Sequence, residues 1–316
     1  MGKASEVIGY GIRPAADAAP GARPPTIEPL PNQQKPRGLP DASGARPPAI
    51  EPLSNRWLVH RLARCLLPAC ARLGVSPNLV TLAGLAAGLG AAAAYAHWRD
   101  PAFALLGFLL MLVWHVLDGL DGMLARATGR ASPAGRLLDG LADYLVFAAV
   151  YAALAFSFTP AWPAVLLAAA AGAAHAVQAA FYEAQRATYA RRARGLLAAP
   201  PRPCAGGRME ALYNRVERHL GNRTAPFDRA LGRAAPQARA AALARWTAEA
   251  ERVHRWMELA SANGRTVVIL LACLLASPVL FWLWELAALS LLCAWSAARL
   301  RTAEAAACAS LAAARA

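Results

Sequence analysis

Lysine is almost absent from this 316-residue sequence, since Lys3 and Lys35 are its only lysines and arginine supplies the remaining basic residues. The six cysteines form no CxxC pair and have no histidine nearby at ligand spacing, which argues against a zinc site or a disulfide framework. The N-terminus has no basic region followed by an apolar core, so we expect no signal peptide. Acidic residues are also scarce, since the sequence has 19 Asp and Glu but 33 Lys and Arg.

The composition combines 57% hydrophobic residues with a formal charge of +14. Such a charge is also typical of nucleic-acid-binding proteins, but these arginines flank apolar segments and form no aromatic-interleaved patch. We therefore expect no nucleic-acid partner. Arginines beside long apolar segments instead predict an integral membrane protein whose cationic parts lie on one side of the bilayer.

About 20 apolar residues cross a bilayer as a helix. On that measure the fold class is an all-α integral membrane protein, a six-transmembrane-helix bundle with an interfacial N-terminal amphipathic helix and a helical cytosolic insert. The segment near Pro278 and Glu285 could instead be one re-entrant hairpin, with Glu285 at the interfacial turn. The predicted spans are residues 77–97, 102–124, 137–157, 162–184, 265–283 and 285–302.

Four further segments surround these spans. Residues 1–54 are rich in Pro and Ala and contain a near-duplicate, GARPPTIEPL at 21–30 and GARPPAIEPL at 44–53, which predicts a disordered tail. Residues 55–76 predict an amphipathic helix lying on the headgroups. Residues 185–264 form a basic helical insert, and 303–316 a cytosolic tail. One apolar face of the insert predicts a helix that lies on a surface or packs against a second copy: Trp246, Ala250, Val253, Met257 and Ala260.

The arginine distribution also predicts the orientation. The connection between the second and third spans and the long insert hold most arginines, whereas the opposite side has little beyond Arg99. By the positive-inside rule, both termini and the insert are cytosolic. We expect a multi-pass protein of the bacterial inner membrane with its active site on the cytosolic side.

The acidic residues concentrate in one stretch, DGLDGMLARATGRASPAGRLLDGLAD at 118–143. Asp118 and Asp121 are three residues apart and Asp139 and Asp143 four apart, so each pair shares one helix face. A carboxylate inside the bilayer costs about 2.5–3.5 kcal/mol on insertion scales, so four together need compensation. Carboxylates are hard ligands that suit Mg²⁺ or Mn²⁺. The spacing therefore predicts a site for one or two divalent ions.

The same stretch resembles the CDP-alcohol phosphotransferase family, class I. Its pattern is D-x-x-D-G-x-x-A-R, eight residues, then G-x-x-x-D-x-x-x-D, and every fixed position is filled here. The segment SPNLVT at 76–81 is also similar to the family's segment that opens the first span. The eight matching positions are Asp118, Asp121, Gly122, Ala125, Arg126, Gly135, Asp139 and Asp143.

The resemblance implies a membrane phosphotransferase that cleaves a CDP-linked donor, CDP-diacylglycerol or another CDP-alcohol, releases CMP and passes the phosphatidyl group to an alcohol. It implies two Mg²⁺ or Mn²⁺ ions held by Asp118, Asp121, Asp139 and Asp143, with Asp143 also acting as general base. It implies a homodimer as well. The residues implied in donor binding are Asn78, Thr81, Gly122, Arg126 and Ser132.

Polar residues on the fourth span are candidates for acceptor binding, because polar side chains facing lipid are penalised. Their alternative role is hydrogen bonding between helices. His115, one turn before Asp118, is expected to form a buried hydrogen bond and not to bind the metal. The acceptor candidates are His175, Gln178, Tyr182 and Arg186, with Gln185 on the same stripe.

Three other functions remain open, and one of them is a reaction of the same family that gives a polar phosphate-ester product. A soluble CDP-alcohol could donate its phospho-headgroup to a lipid alcohol, which reverses the roles of lipid and headgroup. A cation transporter could use buried aspartates as an ion path, but transport requires neither the arginine nor the ordered glycines of the motif.

Overall fold

A computed structural model describes residues 48–196 and 225–313, and within these ranges all regular structure is helical. The prediction of an all-α protein is confirmed. We number nine α-helices in chain order. They are α1 His60–Arg72, α2 Pro77–Tyr95, α3 Pro101–Ala127, α4 Pro133–Phe156, α5 Trp162–Ala193, α6 Ala225–Arg233, α7 Pro236–Met257, α8 Ala262–Leu274 and α9 Val279–Ala313.

Three of these helices begin with the same local chemistry. A proline opens each of α2, α3 and α4, where its missing N–H costs no hydrogen bond. The residue before it caps the helix, because its side-chain oxygen accepts a hydrogen bond from a backbone N–H of the first turn. The capping residues are Ser76, Asp100 and Ser132.

Helices α2, α3 and α4 form the closely packed part of the bundle. Gly88 on α2 lies directly against Val146 on α4, where an added Cβ would be 2.3 Å from Val146 Cγ2. Gly107 on α3 lies against the ring of Tyr95 in the same way, at 3.0 Å. Glycine therefore permits the approach that places the motif-bearing helices α3 and α4 beside α2.

Five helices, α2 to α5 and α9, are long and apolar enough to cross a membrane. A sixth span is obtained if α7 and α8, which meet at a 43° bend, are counted as one broken span. Five or six spans agree with the sequence interpretation, although the sixth consists of two pieces.

The boundary between the last two spans differs from the prediction. Helix α8 ends at Leu274, and α9 already begins at Val279, so residues 279–283 belong to the last helix. Glu285 was expected at an interfacial turn but lies inside α9 and is fully buried. Glu285 lies in a π-turn of this helix, Trp284–Leu289, and Arg265 compensates the charge of its carboxylate.

The N-terminal segment is packed from residue 48 onwards. Ile50, which we had placed in the tail, is buried, and the Ser54 hydroxyl donates to Glu258 Oε1 at 3.1 Å. Residues 1–47, with the first copy of the repeat, lie outside the described residues. The predicted amphipathic segment 55–76 consists of a π-turn, Asn55–Val59, followed by α1, His60–Arg72, so α1 is shorter than expected. The apolar stripe of this segment is exposed, which suits a helix lying on headgroups. The stripe is Leu58, Leu62, Leu66, Ala69 and Leu73.

The predicted apolar face of the insert exists and is covered by this chain itself. All five of its residues are buried, and α7 packs against α9 and α5. A second copy is therefore not needed to cover this face. Helix α9 continues to Ala313 with Leu311 buried, so residues 303–313 belong to this packing and are not a separate tail.

Candidate active site

The acidic residues of α3 and α4 converge at one end of the bundle. Asp118, Asp121 and Asp139 each offer one carboxylate oxygen, and these oxygens all lie within 4.8 Å of one another. Asp118 and Asp139 are also close enough to share a hydrogen bond. Carboxylates at this distance need a proton or a cation between them. The arrangement therefore fits a divalent cation, as the spacing predicts.

Asp121 is the most buried member of this cluster. It is 5% exposed, and its Oδ2 accepts a 2.5 Å hydrogen bond from the Thr81 hydroxyl on α2. Thr81 was expected to reach the donor, but the structure places its hydroxyl on a carboxylate of the cluster. Such a bond fixes the orientation of the carboxylate, which is the usual arrangement behind a metal ligand.

Asp143 stands slightly apart from the other three. It lies one turn after Asp139 on α4, is half-buried, and its charge acts on Asp118. The three-residue cluster of ligand atoms does not include it. This position is compatible with the proton-accepting role that the resemblance implies.

The glycines of the motif make room for polar groups. A Cβ at Gly122 would lie 3.3 Å from Arg126 Nη1, so the glycine lets the exposed guanidinium lie close over α3. A Cβ at Gly135 would lie 3.1 Å from Ser132 Oγ and 3.4 Å from Asn78 Oδ1. Three of the implied donor-binding residues thus lie beside glycines of the motif, Arg126 at Gly122 and both Asn78 and Ser132 at Gly135, although the Ser132 hydroxyl also caps α4.

Two acceptor candidates on α5 belong to a buried network between helices. Gln178 donates to the Glu285 carbonyl at 2.9 Å and accepts from Arg265 at 2.9 Å. His175 Nδ1 lies 3.1 Å from the Tyr151 hydroxyl, which donates to Glu285 Oε2. These contacts correspond to the alternative role, hydrogen bonding between helices.

The other two candidates lie nearer the end of α5. Arg186 is 6% exposed, stacks over the ring of Tyr182 and donates from Nη1 to Glu183 at 2.7 Å. Its Nε and Nη2 are buried and have no hydrogen-bond partner among the described residues. A buried guanidinium with two open donor nitrogens is suited to bind an anion. Gln185, on the same stripe, donates to Ser296 Oγ at 3.1 Å.

His115 forms the buried hydrogen bond that its position predicted. Its Nε2 lies 2.9 Å from Thr266 Oγ1 on α8, and it is not part of the cluster of potential metal ligands. The expectation that it does not bind the metal agrees with this contact.

Sequence reasoning missed the pair formed by Arg265 and Glu285. Both are buried, and Arg265 Nη2 lies 2.9 Å from Glu285 Oε1. The available signal was a charged residue of opposite sign at the start of each of the last two predicted spans, Arg265 and Glu285. Charges inside an apolar bundle are paired, so each predicts the other.

The stretch that contains the acidic cluster is similar to known proteins. A family model described as CDP-alcohol phosphatidyltransferase matches residues 74–200. The chain carries a CDP-alcohol phosphatidyltransferase domain. The matched residues hold all four aspartates, and the CDP-alcohol phosphatidyltransferase domain thus includes α2, α3, α4 and α5.

Three curated relatives match stretches of 90 to 99 residues of this chain. An archaetidylinositol phosphate synthase of Pyrococcus horikoshii is 34% identical over 97 residues, which cover 31% of this chain and 50% of the relative. One of Aeropyrum pernix is 38% identical over 29% of this chain and 48% of its own length. A CDP-diacylglycerol–serine O-phosphatidyltransferase of Encephalitozoon cuniculi is 37% identical over 90 residues, which cover 27% of this chain and 23% of the relative. The chain thus spans about half the length of the first relatives that it matches.

Proposed function

We propose that this protein is a membrane phosphotransferase that uses a CDP-linked lipid, CDP-diacylglycerol or a close analogue, and transfers its phosphatidyl group to an alcohol with release of CMP. The observation that carries the proposal is the convergence of Asp118, Asp121 and Asp139 within 4.8 Å in a domain of this family.

The acidic cluster would hold Mg²⁺ or Mn²⁺, with Asp118, Asp121 and Asp139 as ligands and Asp143 at its edge. Bound divalent cations neutralise the charge of a diphosphate and of the departing nucleotide. Thr81 orients Asp121, and Arg126 offers a planar fork to the diphosphate oxygens. Asn78, Gly122 and Ser132 complete the proposed donor site.

The transfer itself needs one proton acceptor. The acceptor hydroxyl oxygen attacks the phosphorus that bears the lipid, the bond from that phosphorus to the CMP oxygen breaks, and the electron pair leaves with CMP. Asp143 takes the hydroxyl proton, since its carboxylate lies at the edge of the cluster and not among its closest ligand atoms.

The acceptor is proposed to be a phosphorylated alcohol. Two relatives are named archaetidylinositol phosphate synthase and one is named for serine, so their names do not indicate one acceptor for this protein. The buried Arg186, with Nε and Nη2 open, favours an acceptor that carries its own phosphate. Tyr182 would then support the position of Arg186, whose guanidinium lies over its ring, whereas His175 and Gln178 would hold α5 against the neighbouring helices.

Assay of the purified protein in lipid nanodiscs tests the proposal. CDP-diacylglycerol would be offered with Mn²⁺ or Mg²⁺ and, in turn, inositol phosphate, glycerol phosphate, inositol, glycerol and serine. We expect CMP release with a phosphorylated acceptor only, and none after chelation of the metal. No release with any acceptor would contradict the proposal, whereas release from a soluble CDP-alcohol with diacylglycerol would support the reversed roles.

The arginine distribution supports the further proposal that the active site and both termini face the cytosol, in the inner membrane if the source is a bacterium. A homodimer is proposed on family resemblance. Cysteine labelling at each end of the bundle and crosslinking in membranes test these two points.

A further inference from the structure

Helix α8 lies outside the residues that match the family, yet it is hydrogen-bonded to the helix that bears the first two aspartates. The Thr266 hydroxyl donates to the Ala262 carbonyl at 3.0 Å. Its oxygen is therefore left to accept the 2.9 Å hydrogen bond from His115 Nε2. Both side chains are buried, Thr266 at 1% and His115 at 4% exposure, so water does not compete for this bond.

His115 stands one helical turn before Asp118 on α3. Its ring also packs against that of Trp114, at 4.4 Å between centroids. Trp114 lies on the same helix, so it is the bond to Thr266 on α8 that restrains the rotation of α3, and the aspartates of the next turn rotate with it. The bond to Thr266 thus acts on the orientation of the acidic cluster without touching it.

Arg265, the neighbour of Thr266, anchors α8 at the 43° bend. Its guanidinium binds the Ala260 carbonyl at the end of the preceding turn, Gln178 on α5 and Glu285 on α9. The Gln178 amide is also fully used, by Glu285, Ser290 and Arg265. Since these groups bind one another, they offer few open donors to a ligand, and their contribution is to hold the helices in place.

We propose that Arg265 and Thr266 are positioning residues for the acidic cluster. Arg265 holds α8 at its bend from α7. Thr266 on α8 binds His115 on α3, and this bond fixes the turn of α3 that bears Asp118 and Asp121. This inference rests on the proposed function, because it assigns the cluster its metal. It adds a contribution from a helix outside the family-matching domain.

The test compares Thr266→Val with Thr266→Ser. Valine keeps the volume and removes the hydroxyl, whereas serine restores the hydrogen bond to His115. Mn²⁺ binding is measured by electron paramagnetic resonance, and kcat and KM by CMP release. Changes in groups behind metal ligands cost about 10–100-fold in affinity or activity. We expect Thr266→Val to weaken Mn²⁺ binding about tenfold and Thr266→Ser to restore it to nearly the wild-type value.

Ser157→Ala is the matched control. Ser157, just after α4, accepts a 2.7 Å hydrogen bond from Trp98, just after α2, at the end of these helices opposite the aspartates. The Ser157→Ala substitution removes this hydrogen bond but does not touch the acidic cluster, so Mn²⁺ binding should be unchanged. Should Thr266→Val not fold, His115→Phe removes the same bond from α3 and keeps the aromatic contact to Trp114.

Unchanged Mn²⁺ binding in Thr266→Val, or an equal loss in Ser157→Ala, would overturn the positioning role. Wild-type protein that binds Mn²⁺ but releases no CMP with any acceptor would contradict the proposed function instead. In that case the binding data for Thr266→Val and Thr266→Ser still decide the positioning role.

Discussion

The Thr81 hydroxyl donates a 2.5 Å hydrogen bond to Asp121 Oδ2 and so joins α2 to the buried carboxylate of the acidic cluster. Asp121 is 5% exposed, and a carboxylate removed from water needs such a partner. The bond connects a residue of the SPNLVT segment to the motif 40 positions further along the chain.

Thr81→Val should lower kcat/KM by at least about tenfold, since a hydrogen bond to a charged group contributes about 1.5–3 kcal/mol. Valine has nearly the same shape, so packing is kept and only the hydroxyl is lost. Thr81→Ser should keep most of the activity. Steady-state assays of CMP release check both variants, and equal activity of Thr81→Val and wild type would show that the bond is dispensable.

Asp139→Asn should abolish CMP release and weaken Mn²⁺ binding, because Asp139 contributes a ligand atom to the cluster. Asp143→Asn should abolish CMP release but weaken Mn²⁺ binding less, because the proposed role of Asp143 is to take the proton. Calorimetric titration with Mn²⁺ separates the two effects. Asp100→Asn, which replaces a helix cap with another good cap, is the control and should change neither.

Gly88→Ala should destabilise the bundle by about 1–3 kcal/mol, the usual cost of overpacking. Its new Cβ would lie 2.3 Å from Val146, which must move. Gly90→Ala, two residues along the same helix, meets only an ordinary contact of 3.5 Å to Leu110 and should be neutral or stabilising. The melting temperatures of the two variants are compared in detergent. Adding Val146→Ala to Gly88→Ala should restore the melting temperature.

Arg265→Met should be strongly destabilising, by about 3–5 kcal/mol, because it leaves Glu285 buried without its charge partner. The double variant Arg265→Met with Glu285→Met should recover much of this loss. Arg252→Met, in an exposed pair with Glu249, should change the melting temperature little. Additive losses in the double variant would show that the two residues do not act as a pair.

Arg186→Lys should raise the KM for a phosphorylated acceptor by about tenfold while kcat changes less, because lysine cannot present two donor nitrogens in one plane. The KM for CDP-diacylglycerol should be unaffected. Arg299→Lys, at an exposed arginine that pairs with Glu249, is the control. An unchanged acceptor KM in Arg186→Lys would remove Arg186 from the proposed acceptor site.

The acidic cluster could be predicted from the sequence because its geometry is mostly local. Asp118 and Asp121 share a face through helical periodicity, and so do Asp139 and Asp143. A short connection joins the two apolar helices, so their aspartate pairs become neighbours. The same local reasoning predicted a buried hydrogen bond for His115 but could not name its partner. It found the apolar face of Trp246 and Met257 but predicted that a surface or a second copy covers it, whereas helices of this chain do.

By itself, the sequence determined that this is an all-helical membrane protein with a carboxylate cluster between its second and third predicted spans, because apolar length and motif spacing are properties of single segments. Only the tertiary structure decided that Glu285 lies in the core opposite Arg265, that Thr266 binds His115, and that two donor nitrogens of Arg186 have no hydrogen-bond partner among the described residues. The contacts of Glu285 with Arg265 and of Thr266 with His115 join residues 20 and 151 positions apart, and they depend on how helices bend and pack against one another.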